Sequence, residues 1–315
     1  MNLRKVEKTL TNGWVKRTFQ LLVLVACIVF IYSRIRQVDL SAIKINFLDL
    51  TISLLITAFG TWLGAISWWV TLRVFSLRPS LPEIKDIQFK SNLVKYIPGY
   101  GWQLVGKSYM TAKIGYPLKT VIASMLFEFI EIFLTGLFLV ALFIPLDYNL
   151  QHPIFTSIVQ NRFLLQALTL LLIIVFPFIF QLVASRNLKN IPTPRLALRW
   201  VLLLVILLSF TWIVNSIGFS YLCIAIAIQT PISLPLTVFI FTSTFLIGLI
   251  VIIAPGSIGI RESLFILFLS PVIGASTAGL IAVAYRIITI LAEVLVAFSN
   301  FLFVMISKKN KKVKI

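Results

Sequence analysis

Long apolar segments alternate with short polar segments along almost the whole chain of 315 residues. A hydrocarbon layer about 30 Å thick requires roughly 20 apolar residues for each helical crossing. Six segments come close to that length, at about 18–33, 50–72, 119–144, 163–184, 200–228 and 277–306. This pattern predicts an all-α polytopic membrane protein with about six full spans.

Two further segments, at about 81–115 and 235–271, do not fit as simple spans. Each is interrupted near its middle by a Pro-Gly pair, Pro98-Gly99 in the first and Pro255-Gly256 in the second. Proline removes a helical hydrogen-bond donor and glycine loosens the turn, so both segments are expected to be re-entrant hairpins of two half-helices. Such backbone is tolerated at membrane depth only where protein or a wet cavity surrounds it.

Both segments also have a simpler interpretation. The second could be a full span at 235–254 followed by a surface helix. The first is more polar and could lie at the membrane interface.

The two broken segments match each other at an offset of about 157–159 residues. The matched features are Pro98-Gly99 with Pro255-Gly256, Gly101 with Gly259, Gly115 with Gly274, and Glu128 with Arg286. We therefore expect one membrane domain, 1–315, built from a repeat at about 50–144 and an inverted copy at about 200–306. In many secondary transporters, paired broken helices from inverted repeats form the substrate site near the midplane.

Composition supports a membrane protein, because 59% of the residues are hydrophobic, 12% are charged and the mean hydropathy is +1.02. Most of the 28 basic residues cluster between the apolar segments, near both termini and at about 73–119 and 186–199. The positive-inside rule places these clusters, and both termini, on the cytoplasmic side of the cytoplasmic (inner) membrane. The net charge of +18 then indicates topology and attraction to anionic headgroups, and nucleic acid is not an expected partner.

Metal and nucleophilic chemistry are not expected. Cys27 and Cys223 lie inside apolar segments, and His152 is the single histidine. No zinc site or catalytic triad can be assembled from these residues, so we expect no cofactor, no metal and no enzyme activity.

Charged residues lie within the predicted membrane segments, where each costs roughly 2.5–3.5 kcal/mol on insertion scales. They are Glu128, Glu131, Arg261, Glu262, Arg286 and Glu293. In one interpretation Arg261 and Arg286, helped by free N–H groups after Gly256 and Gly259, bind an anionic headgroup while the acids balance them or carry a proton. In the other, the charges pair with one another and hold the helices in register.

Lys107 follows the first Pro-Gly break and is either a phosphate ligand or a positive-inside anchor. Trp62, Trp68 and Trp69 are expected in an interfacial aromatic belt. The candidate substrate-binding residues are Pro98, Gly99, Lys107, Glu128, Pro255, Gly256, Gly259, Arg261, Glu262 and Arg286.

The motifs KYIPGYGWQLVGK and APGSIGIRES, with Glu128 and Tyr285-Arg286 on the helices that follow, resemble a known family over about residues 15–306. The family is the flippase-like membrane domain of the lysylphosphatidylglycerol synthases. The second motif is close to the family's Pro-Gly-Gly-x-Gly-x-Arg-Glu pattern. Three positions depart from the family, namely Ser257, Trp102-Gln103 and Phe129.

This resemblance implies translocation of an amphiphilic lipid, either an aminoacylated phospholipid or a lipid carrying a sugar or polyprenyl phosphate. The aminoacyl-transferring domain of the full-length synthases is expected to be absent. The alternative is a non-transporting membrane scaffold for a glycosyltransferase or a lipid-modifying enzyme. A membrane-embedded lipid transferase is disfavoured because no pair of nucleophile and base is evident.

Overall fold

The computed structural model describes residues 45–94, 102–145, 159–187, 198–226, 232–250 and 260–312. These ranges are helical and contain no strand. The helices are α1 (Phe47–Val74), α2 (Leu81–Val94), α3 (Trp102–Lys113), α4 (Leu118–Leu142), α5 (Arg162–Asn187), α6 (Leu198–Ile226), α7 (Leu234–Ile250), α8 (Ile260–Ile273) and α9 (Ala275–Lys312). Among the described residues, five helices are long and apolar enough to cross a membrane, α1, α4, α5, α6 and α9.

Helices α1 and α6 form a central pair and run antiparallel along their lengths. At one end the backbone N–H of Asn46 donates to the carbonyl of Ala225 at 3.0 Å. At the other end the rings of Trp69 and Trp200 meet edge to face, with centroids 5.8 Å apart. The C-terminal end of α1 therefore lies beside the N-terminal end of α6.

Helices α2 and α3 pack on the C-terminal half of α1. Ile84 at the start of α2 packs in a cluster with Leu72, near the end of α1, whereas Phe89 packs with Ala58, nearer the middle of α1. Helix α2 thus runs back along α1. Helix α3 returns in the opposite direction, because its Met110 again packs against the cluster that contains Leu72.

Helices α7 and α8 are arranged in the same way on the C-terminal half of α6. Helix α7 begins beyond the end of α6 and reaches its middle, where the rings of Phe245 and Trp212 lie 6.3 Å apart. Helix α8 starts beside Phe245 and returns, so that Phe265 stacks at 4.5 Å on Phe219, nearer the end of α6. Because α1 and α6 are antiparallel, the two short-helix pairs lie at opposite ends of the central pair.

The long helices α4 and α9 follow the two short-helix pairs and pack on the central helices. The indole N–H of Trp212 donates to the carbonyl of Ile132 in α4 at 3.2 Å, and the ring of Tyr285 in α9 lies 5.2 Å from that of Phe219. Helix α5 packs on α4, and few of its apolar side chains are buried. Its remaining apolar surface is suited to contact with lipid.

The packing of the first four helices mirrors that of α6 to α9. When α1, α2, α3 and α4 are matched in order to α6, α7, α8 and α9, each substantial helix contact has a counterpart. Helix α1 packs on α9 as α6 packs on α4, and α2 packs on α9 as α7 packs on α4. Helix α5 stands outside this correspondence.

The junctions between short and long helices also correspond. Gly115, between α3 and α4, has φ of +101°, and Gly274, between α8 and α9, has φ of +80°. Only glycine adopts this left-handed backbone without a steric cost. The N–H of Gly115 donates to the carbonyl of Ala112 and that of Gly274 to the carbonyl of Ser270, which closes the last turn of each short helix.

Five of the six predicted spans coincide with long apolar helices of the structure. The predicted span at 18–33 lies outside the described residues, as do both Pro-Gly breaks. Helices α2 and α3 occupy the segment of the first predicted hairpin, and α7 and α8 occupy that of the second.

Close contact between α1 and α6 requires a small residue at position 218. A β-carbon on Gly218 would lie 2.8 Å from Thr57 Oγ1 and 3.3 Å from its backbone nitrogen. We expect Gly218→Leu to destabilise the protein by about 1–3 kcal/mol, because α6 must move away from α1. The matched control is Gly64→Leu on α1, where an added β-carbon meets nothing within 4 Å. Thermal unfolding in detergent checks this, and equal midpoints for the two variants would contradict the close contact.

Candidate functional site

Two ion pairs, one buried and one partly buried, join the short helices to the long helices that follow them. In the first, Lys107 Nζ of α3 lies 3.0 Å from Glu128 Oε2 of α4, with side chains 8% and 9% exposed. In the second, Arg286 Nη1 of α9 lies 3.4 Å from Glu262 Oε1 of α8, with side chains 16% and 8% exposed. The pairs occupy corresponding helices, but the cation is on the short helix in the first and on the long helix in the second.

Lys107 lies in an interior environment. Its ammonium group is 3.7 Å from the ring centroid of Trp68, which is fully buried in α1. The ring face attracts the cation, while Glu128 balances its charge. A lysine in this position does not fit the interpretation as an anchor at the lipid surface, and the buried ring of Trp68 does not face the surrounding lipid as a belt residue would.

Arg261 and Glu262 are adjacent at the start of α8 and contact different helices. The Arg261 guanidinium lies 4.0 Å from the ring centroid of Phe245 in α7, whereas Glu262 pairs with α9. Gly248 makes room for this arrangement, since a β-carbon there would lie 3.0 Å from Arg261 Nε. The start of α8 is therefore held to α7 by a cation–π contact and to α9 by an ion pair.

Buried amides extend the polar surface of the first helix set. Gln88 Nε2 donates to Asn92 Oδ1 at 3.2 Å, and Gln103 Nε2 of α3 donates to the same oxygen at 2.9 Å. Gln103 precedes Lys107 by one helical turn, so the amides and the first ion pair share one face of α3. Sequence reasoning did not select Gln88 and Asn92, although their i, i+4 spacing places them on one face of a predicted half-helix.

Several buried polar atoms have no hydrogen-bond partner within the described part of the chain. Both carboxylate oxygens of Glu131 are in this state, and its side chain is 0% exposed. The hydroxyl oxygens of Thr242, Ser243 and Thr244 in α7 are also unpartnered. Unsatisfied buried polar groups are uncommon in native proteins and are concentrated where water, an ion or a ligand binds.

The structure brings together some of the predicted site residues. Glu128 lies with Lys107, and Glu262 lies with Arg286 and beside Arg261. Glu128 and Arg286, which the repeat aligns, each have a partner on the preceding short helix. The remaining predicted site residues lie outside the described ranges, Pro98, Gly99, Pro255, Gly256 and Gly259.

Comparison with known proteins gives one family. A profile described as "Lysylphosphatidylglycerol synthase TM region" matches residues 18–297, which is most of the chain. No curated protein and no solved structure matches the chain.

The buried pair of Lys107 and Glu128 should be energetically coupled. Lys107→Met leaves the carboxylate of Glu128 buried without a cation, so we expect a loss of about 3–5 kcal/mol in unfolding free energy. The double variant Lys107→Met with Glu128→Gln should be less destabilised than Lys107→Met alone. Equilibrium unfolding in mixed micelles, followed by tryptophan fluorescence, measures the unfolding free energy of the single and the double variants.

The control for this cycle is Lys90→Met, because Lys90 pairs with Asp86 on the exposed surface of α2. Exposed pairs contribute at most about 1 kcal/mol. Strictly additive losses for Lys107→Met and Glu128→Gln would show that the interior pair is not coupled.

Proposed function

This chain belongs to the lysylphosphatidylglycerol synthase TM-region family, and we propose that it translocates an amphiphilic lipid across the membrane. The observation that carries the proposal is the occurrence of interior ion pairs on corresponding helices, the buried pair Lys107–Glu128 and the partly buried pair Glu262–Arg286. Ionisable groups within membrane segments are costly and commonly mark the path of a polar substrate. The headgroup would pass along these groups while the acyl chains stay in lipid.

We infer that the two helix sets are inverted repeats, at about 50–144 and 200–306. Three features support this inference. The central helices α1 and α6 are antiparallel, the short-helix pairs lie at opposite ends of them, and the packing contacts correspond on exchange of the two sets. Inverted repeats with paired broken helices support alternating access in many transporters.

In this proposal α2–α3 and α7–α8 are re-entrant hairpins that open in turn. The Lys107–Glu128 pair holds α3 against α4, and the Glu262–Arg286 pair holds α8 against α9, so each pair keeps its own hairpin closed. Separating either pair exposes two charges, which water and a polar headgroup can solvate. Opening is therefore linked to the arrival of the headgroup.

The described basic residues support an orientation with the C-terminal end of α1 in the cytoplasm. Arg73 at this end of α1 and Arg199 at the start of α6 both lie near the ring of Trp200, at 5.8 and 5.4 Å. Basic residues from α1 and from α6 therefore lie at the same end of the antiparallel pair, as the positive-inside rule favours for the cytoplasmic side. We propose that this end faces the cytoplasm and that both termini lie on the same side of the cytoplasmic membrane.

Arg286 is the most direct test of lipid translocation. In vesicles reconstituted with the full chain, we expect Arg286→Ala to slow transbilayer movement of fluorescent lipids about tenfold or more, equivalent to about 1.4 kcal/mol in the barrier. The exchange Glu262→Arg with Arg286→Glu should recover part of the rate, because it restores the pair. The control is Arg199→Ala, which removes an exposed arginine.

Dithionite quenching of the outer-leaflet dye gives these rates for lipids with anionic and glycosylated headgroups. If no such lipid crosses faster than in protein-free vesicles, the translocation proposal fails. Retained binding of a cytoplasmic enzyme in that case would favour the scaffold function.

The inverted arrangement predicts opposite accessibility for the starts of the two hairpins. Ser80 precedes α2 and Ser233 precedes α7, and both residues are exposed. In a background with Cys27→Ser and Cys223→Ser, we expect Ser80→Cys to be labelled by an impermeant maleimide only from the cytoplasmic side. Ser233→Cys should be labelled only from the other side, and labelling of both from one side would contradict the inverted repeat.

A further inference from the structure

Polar atoms without partners are found on three helices of the first set. They include Trp68 Nε1 on α1, Gln88 Oε1 on α2 and the two carboxylate oxygens of Glu131 on α4. The side chains are 0%, 9% and 0% exposed, respectively. None of these atoms has a hydrogen-bond partner in the described ranges, so three buried side chains lack the partners that native interiors normally supply.

Gln88 and Glu131 belong to one polar row, which we call the amide–lysine row. It runs from α2 across α3 to α4 and consists of Gln88, Asn92, Gln103, Lys107, Glu128 and Glu131. The ring of Trp68 on α1 contacts this row at Lys107. Glu131 ends the row, one helical turn beyond Glu128 on the same face of α4.

The unsatisfied atoms define what a ligand must offer. Gln88 Oε1 and the Glu131 oxygens have capacity to accept hydrogen bonds, and Trp68 Nε1 can only donate. A phosphate without hydroxyls accepts but does not donate, and the charge of Lys107 is already balanced by Glu128 at 3.0 Å. An ammonium group donates but cannot accept from Trp68. A hydroxyl does both.

We propose that the amide–lysine row binds the hydroxyl-rich headgroup of a membrane lipid, of the sugar or polyol class. Hydroxyl groups of this headgroup donate to Gln88 and Glu131 and accept from Trp68. This inference rests on the proposed function and names the substrate class for one of its two helix sets. It also explains why amides, which both donate and accept, are buried beside the ion pair.

Gln88→Leu separates a binding role from a structural one. Removing a buried acceptor that lacks a partner relieves a desolvation cost, and this gain offsets the loss of the hydrogen bond from Gln88 to Asn92. We therefore expect the lipid-free variant to be at least as stable as the parent protein. Binding of the headgroup should weaken about tenfold, since the ligand hydroxyl loses its acceptor. If Gln88 had only a structural role, the variant would instead be less stable without lipid and would bind the headgroup as tightly as the parent.

The experiment uses the full chain in detergent with three lipids that share the same acyl chains. They are digalactosyl diacylglycerol, phosphatidic acid and phosphatidylethanolamine, which offer hydroxyls, phosphate and an amine. Native mass spectrometry gives apparent Kd values, and thermal unfolding gives the lipid-free midpoint. We expect the tightest binding for the galactolipid and a selective loss of that binding in Gln88→Leu.

The matched control is Gln166→Leu on α5, outside the row, where the amide donates to the carbonyl of Ala141 at 2.9 Å. It should lower the midpoint without changing the Kd of the galactolipid. Equal binding of the three lipids, or a preference for phosphatidic acid or phosphatidylethanolamine, overturns the proposal. An unchanged galactolipid Kd in Gln88→Leu overturns it as well.

Native mass spectrometry measures equilibrium binding of the lipids, which does not depend on their transport across a membrane. Galactolipid binding that depends on Gln88, without transbilayer movement of any lipid, would reject the translocation function and retain the headgroup site. Transbilayer movement without galactolipid preference would reject the headgroup site and retain translocation.

Discussion

Ion pairs between neighbouring helices govern how the short helices dock. Lys107 and Glu128 are 21 residues apart in sequence, yet their side chains meet because α3 lies at one level along α4. Glu262 and Arg286 impose the same condition on α8 and α9. Sliding either short helix by one turn would separate the pair and leave two ions unpaired, a cost much larger than that of an apolar mismatch. The ion pairs therefore fix the register of helices whose apolar surfaces would allow several.

The central pair determines where these docked helices lie. Gly218 and Thr57 allow α1 and α6 to approach closely, and the antiparallel direction sends the chain out at opposite ends before each short-helix pair begins. The junction glycines, Gly115 and Gly274, then turn each chain into its second long helix. Two ion pairs on equivalent helices thus come to lie in the two halves of one bundle. Their placement results from helix direction, while their strength results from burial.

Hydropathy was sufficient to predict the long helices, because about 20 apolar residues leave few alternatives in a membrane. The pairing of charges was not predictable at the same level. Lys107 lies in a basic segment, and only its burial against Trp68 distinguishes it from a surface anchor. Alignment of the repeats linked Glu128 to Arg286, but the partner of each depends on the register between neighbouring helices. Gln88 and Asn92 were missed because a polar half-helix is compatible with an interfacial position as well as with a buried one.

The exchange of sign between the two ion pairs makes the halves electrically different. In the proposed cycle, separation of α3 from α4 moves a lysine and leaves Glu128 behind, whereas separation of α8 from α9 moves Glu262 and leaves Arg286. Each opening exposes both members of a pair, and the charge that stays on the long helix is an acid in one half and an arginine in the other. A headgroup with both hydroxyl and phosphate groups meets complementary partners in sequence, since acids accept from hydroxyls and arginine binds phosphate. Identical pairs would leave the same charge on both long helices in the proposed cycle, whereas the sign exchange leaves opposite charges there.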